Sequence, residues 1–186
     1  MDNKLISKIR SKGDTELLPK GSEESLEWFR TNLRKRRKIS SIGVITEGFI
    51  PSKIEPGKMF TYKYKPKFEK KLEYYDIHPL IIVLDETSNG WYGANLHYLS
   101  PKLRSELLLD IGYYEKGFIK IRAELENNPI TSACLKRYIA KQVVTRPVEI
   151  PKDEWDLVVQ LPYEGFVNSI NRSVWLKTRK RIKGPK

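Results

Sequence analysis

A chain of 186 residues is long enough for one domain with a real core, and its single cysteine, Cys134, excludes an intramolecular disulfide and a cysteine-built zinc site. No apolar run approaches the roughly 20 residues needed to span a bilayer, and the polar, charged start from Asp2 carries no signal-peptide pattern, so a reducing compartment is expected. The formal net charge of +12 is unevenly placed: residues 30–38 hold six cations and no acid, no acid follows Glu164, and everything outside these two flanks is nearly neutral.

Residues 1–20 show scattered charge without a period and read as a flexible N-terminal arm. Residues 21–55 read as a basic helix and a linker. Gly21-Ser22-Glu23-Glu24 has the acids of a helix start, and Leu26, Phe29 and Leu33 share a face beside Trp28. That helix runs into Arg34-Lys35-Arg36-Arg37-Lys38, and a short strand is expected at 43–46.

Residues 56–166 read as the central domain. Phe60, Tyr62 and Tyr64 alternate as in a half-buried strand, and the continuous apolar run 80–84 suits a strand buried on both faces. Asn89-Gly90 predicts a hairpin turn through cheap positive φ. After it Tyr92, Ala94, Leu96 and Tyr98 are expected on one face of a third strand. Ser100-Pro101 predicts a capped helix carrying Leu103, Leu107, Leu108 and Ile111. A helical insertion is expected over about 101–142, with a helix at 119–126 and another capped by Thr131 that carries Cys134, Leu135, Tyr138 and Ile139. Residues 143–150 are β-type. A single turn at 151–155 then leads into a buried strand at 156–161 that closes the sheet. Residues 167–186 read as a basic C-terminal helix and tail. The fold class is therefore α+β: a small SH3-like antiparallel β-barrel with inserted and flanking helices and basic N- and C-terminal arms.

Catalytic signals are weak. His78, His97, Asp76, Asp85 and Glu86 keep a metal-dependent nuclease under consideration, but each histidine reads better as a packed or surface group, because a metal needs a converging ligand set. No Gly-rich phosphate loop, nucleophile elbow or zinc-protease helix is present. No enzymatic activity, cofactor or metal is expected. Cys134 is read as core.

Nucleic-acid contact is the stronger reading. Arg30, Arg34, Lys35, Arg36, Arg37 and Lys38 form one candidate phosphate-binding group, and Arg172, Lys177, Arg179, Lys180, Arg181 and Lys183 form the other. Trp28, Tyr74, Tyr75 and Trp175 are candidates either for stacking or docking or for packing. No helix-turn-helix, finger or ribonucleoprotein motif appears, so readout of sequence is not expected.

Ser25-Leu-Glu-Trp-Phe-Arg30, the stretches 56–67, 72–80 and 93–104, Ile150-Pro-Lys-Asp-Glu-Trp-Asp156 and the basic tail from Val174 together resemble the DNA end protector, or head-completion, proteins of T-even-type tailed phages. The resemblance runs from about Ser25 to Ile182. It implies a non-enzymatic virion protein that caps the ends of packaged DNA and helps to complete the head. It would be present in the host cytoplasm during assembly, with portal, neck or baseplate proteins as partners and no membrane. No family site residue is carried over. Two rivals stand beside it: a neck or baseplate adaptor making only protein contacts, and a metal-dependent nuclease of head completion.

Overall fold

The computed structural model describes residues 22–24, 26–27, 53–161 and 163–183. The arm at 1–20, Trp28, the basic group at 30–38 and the strand expected at 43–46 lie outside the described residues. Leu26 is buried in the main core, and its N–H donates to the Ser22 carbonyl at 3.1 Å, as a helix start there requires.

The fold is α+β. Five antiparallel strands, β1 (Met59–Thr61), β2 (Leu80–Thr87), β3 (Gly90–Asn95), β4 (Leu135–Ile139) and β5 (Val148–Ile150), form one sheet in the order β4-β3-β2-β1-β5. Among the described residues the helices α1 (Pro101–Asp110), α2 (Phe118–Asn127), α3 (Pro129–Cys134), α4 (Trp155–Val158) and α5 (Asn171–Ile182) accompany it. The expected local signals account for several of these. Ser100 caps α1 by accepting from the Leu103 N–H, and Pro101 fills the first turn, where its missing N–H costs nothing. Leu107, Leu108 and Ile111 are then fully buried.

The two faces of the sheet are both covered, which is why β2 reads as an unbroken apolar run. Leu80, Ile82 and Leu84 point into the main core with the helices. Ile81 and Val83 point to the other face, into a second cluster with Phe60, Tyr62, Tyr64, Trp91 and Tyr138. In that second cluster the rings meet edge to face, Tyr62 against Trp91 and against Tyr138 at 5.7 Å each, and Tyr64 against Tyr138 at 5.0 Å. Such pairs add roughly 0.5–1.5 kcal/mol each beyond their burial. The indole N–H of Trp91 donates to the Tyr62 hydroxyl at 3.0 Å, so the aromatic polar tips are used as well.

Four expectations need correction. Residues 156–161 are not a strand: α4 begins at Trp155, and the run stays buried as a helical turn. A short, wholly buried apolar stretch has no exposed face from which its period can be read. The strand that pairs with β1 is β5, reached through one turn of 3-10 helix at Ala140–Gln142. Leu135–Ile139 is β4 rather than helix, and α3 is capped by Asn128, not Thr131. Tertiary packing of Tyr138 into the aromatic cluster overrides the helical spacing of its neighbours. Finally, β3 stops at Asn95, and Leu96–Tyr98 forms a 3-10 turn capped by the Asn95 side chain.

The hairpin turn falls where Asn89-Gly90 placed it, with Thr87 paired to Gly90. The reason differs from the expected one. Gly90 is not at positive φ; instead, a Cβ there would lie 1.9 Å from the Tyr138 carbonyl oxygen, so only glycine lets β4 approach β3. The sheet is open: β4 and β5 are its edges and do not pair with each other. A single bridge between Tyr64 and Val143 continues the β1–β5 side past the strand ends.

Candidate nucleic-acid interface

Helix α5 sorts its residues by face. Val174 and Thr178 are buried and Ile182 half-buried, one turn apart each, which is the seam against the core. Arg172, Lys177, Arg179, Lys180, Arg181 and Lys183 are all exposed. At about 100° per residue, Arg172, Arg179 and Lys183 fall in one narrow row, and Lys177 and Arg181 in a second. Arg179, Lys180 and Arg181 also sit in the last turn, where the helix dipole favours cations. Of the six, Lys177 is paired with Glu73. Among the described residues, the other five make no ion pair. Apart from Lys177, the second basic group of the sequence forms an exposed surface without a carboxylate partner among the described residues.

Trp175 does not join that surface. Its indole N–H donates to the His97 carbonyl at 3.0 Å, and its ring lies 5.8 Å from the buried Arg104 guanidinium. It anchors the helix. Tyr74 and Tyr75 divide their roles. Tyr74 packs edge to face on Phe166 at 5.8 Å, with the Lys177 ammonium 5.1 Å above its ring. The Tyr75 backbone bridges to Val167, which holds the loop beside α5. Both side chains are half-buried and both line a groove of about 380 Å³.

Three distant segments build that groove. The loop 62–79 brings Lys67 and Phe68, β4 brings Lys136, and α5 brings Arg181. The Tyr64 N–H donates to the Ile77 carbonyl at 2.8 Å and closes the base of the loop. Phe68 is 56% exposed at its rim, with the Lys67 ammonium 5.3 Å from the ring. Lys136 lies 4.3 Å above the ring of Tyr98. Burial, followed by repulsion from Arg181, lowers its pKa below the ordinary lysine value. Lys67, Phe68 and Lys136 were not singled out in the sequence. The helical spacing around Tyr138 hides the direction of Lys136, which only the strand β4 turns toward the groove.

Beneath the groove lies a buried polar network. Asn95 Nδ2 donates to Asp76 Oδ2 at 2.8 Å and to the Tyr138 hydroxyl at 2.7 Å, and His97 Nδ1 lies 3.2 Å from the same Asp76 oxygen. His97 is 1% exposed and is a packed histidine. His78 contacts Glu164 at 2.8 Å. Asp85 pairs with Arg122 at 3.5 Å and Glu86 with Lys53 at 3.0 Å, both on the hairpin surface. Of these five candidates for metal chemistry only Asp76 and His97 meet through their side chains, and among the described residues no group of three His, Cys, Asp or Glu side chains converges. Cys134 is buried, and burial pushes its thiol up to about 12, the behaviour of a core residue.

A second hollow of about 470 Å³ opens beside Asn89 and Trp91. Lys53 is the one described cation lining it and is already paired with Glu86. Among the described residues the cationic surface and the aromatic groove meet at α5, where Arg181 belongs to both. The family model described as phage T4 terminal DNA protecting protein matches residues 1–179 of the chain. No curated protein and no solved structure matches it.

Proposed function

Because the chain belongs to the family of the phage T4 terminal DNA protecting protein, we propose that it caps the ends of linear phage DNA against exonuclease, without catalysing a reaction. The observation that carries this reading is the exposed row of unneutralised cations on α5, five of the six having no carboxylate partner among the described residues. Guanidinium and ammonium groups on phosphates release counterions and bind without regard to sequence, as a cap on any packaged end must. The basic group from Arg30 to Lys38 is assigned the same role on a second stretch of backbone.

The sheet is read as an SH3-like barrel opened between β4 and β5, a reading supported by its strand order and by the 3-10 turn that carries the chain from one edge to the other. In this proposal the sheet docks on portal or neck proteins during head completion. The protein acts in the virion and, before that, in the host cytoplasm.

The test is protection. Purified full-length protein is added to linear duplex and the survival of its ends is followed under a double-strand exonuclease. Protection that is lost when Arg172, Arg179 and Lys183 are replaced by alanine is expected. Unimpeded digestion at saturating protein contradicts the proposal and favours an adaptor whose basic segments contact protein.

A further inference from the structure

We propose that the groove between loop 62–79, β4 and α5 receives the unpaired terminal nucleotide of a DNA strand, its base against Phe68 and Tyr75 and its phosphate between Lys136 and Arg181. The proposal rests on the end-binding reading and gives it a source of selectivity. A row of surface cations binds the interior of a duplex as well as its end. What an end offers in addition is a nucleotide that can leave the stack.

The groove has the chemistry for that nucleotide. Its volume of about 380 Å³ lies at the small end of the range for small-molecule sites, which suits one nucleotide. Phe68 is 56% exposed at the rim, with the Lys67 and Lys71 ammonium groups 5.3 and 6.0 Å from its ring, so it offers both an aromatic surface and cations to a nucleotide. Bases stack on such faces whatever their identity, which suits a cap without sequence preference.

Two acids line the groove, and both are engaged: Asp76 with Asn95 and His97, and Glu73 with Lys177. Among the described residues, Lys136 and Arg181 have no ion-pair partner, and they sit close enough to repel each other. Lys136 is half-buried over the Tyr98 ring, and burial together with the Arg181 charge disfavours its protonated form. A phosphate placed between the two would relieve both the repulsion and the lost hydration.

The experiment uses the full chain and a 5′-phosphorylated single-stranded thymidine tetranucleotide, titrated by calorimetry. Linear duplexes with fully paired ends and with short unpaired ends are titrated in parallel. The variant is Phe68→Ala, at an exposed site, with thermal unfolding confirming an intact fold. Expected are binding of the tetranucleotide, tighter binding of unpaired than of paired ends, and a loss of roughly tenfold in tetranucleotide affinity on Phe68→Ala. If the duplexes bind but the tetranucleotide does not, or binds the variant as tightly as the native chain, the groove proposal is overturned and end capping by the basic surface survives. If neither duplex nor tetranucleotide binds, both fall together.

Discussion

Arg104 shows how much a single side chain can organise in this molecule. It is 1% exposed and has no carboxylate partner among the described residues; instead its guanidinium donates to carbonyl oxygens. Nε donates to Leu96 at 2.8 Å and Leu99 at 3.0 Å, and a terminal nitrogen donates to Val159 at 3.1 Å. The group also lies over the Tyr163 ring at 4.8 Å. It thereby ties the turn after β3 to the end of α4, beside the Trp175 anchor of α5. Burial pushes its pKa down to about 10, still far enough above neutrality to keep the charge. Arg104→Met would take the Arg104 donor from the buried Leu99 and Val159 carbonyls, each loss costing about 1–3 kcal/mol, so a loss of roughly 2–6 kcal/mol in urea unfolding is expected. Arg104→Lys should recover little, because one ammonium cannot reproduce the fork. A change below 1 kcal/mol in Arg104→Met would contradict this role.

Helix α1 was legible because its start is written locally, in Ser100-Pro101, and its apolar residues recur at helical spacing. Residues 134, 135, 138 and 139 carry the same spacing, yet Leu135–Ile139 is β4. There the deciding contacts come from Tyr62 and Tyr64, more than 70 positions earlier, and no local pattern records them. The same limit hid α4 inside a run that is buried all round. Glycines mark where elements press together. Gly57, at φ +82°, would place a Cβ 2.2 Å from the Phe118 carbonyl oxygen at the start of α2. Gly57→Ala should therefore cost the roughly 1–3 kcal/mol of a strained backbone plus the displacement of α2, read as a lowered urea midpoint with an unchanged slope. On α5, Arg172→Ala combined with Arg179→Ala removes two cations of one row without touching its buried seam. If both meet phosphates, the slope of log affinity against log salt should fall by about two, with stability unchanged. An unaltered slope would remove that row from the interface.

The whole molecule separates a nearly neutral body from strongly basic flanks, and this much was plain from charge placement alone. The C-terminal flank is ordered as α5 and pinned by Val174, Thr178 and Trp175, so its cations are presented rather than tethered loosely. The groove beside it was not legible, because Phe68, Lys136 and Arg181 are brought together only by the sheet and by the docking of α5. Under the proposed function, surface and groove together would favour an end over any particular sequence. The most direct measurement compares binding of the full-length protein to a linear duplex and to the same DNA as a covalently closed circle, across a salt series. The account predicts tighter binding to the linear form at every salt concentration, with both affinities falling steeply as salt rises. Equal affinity for the two forms would contradict it, since the cations would then be reading backbone alone.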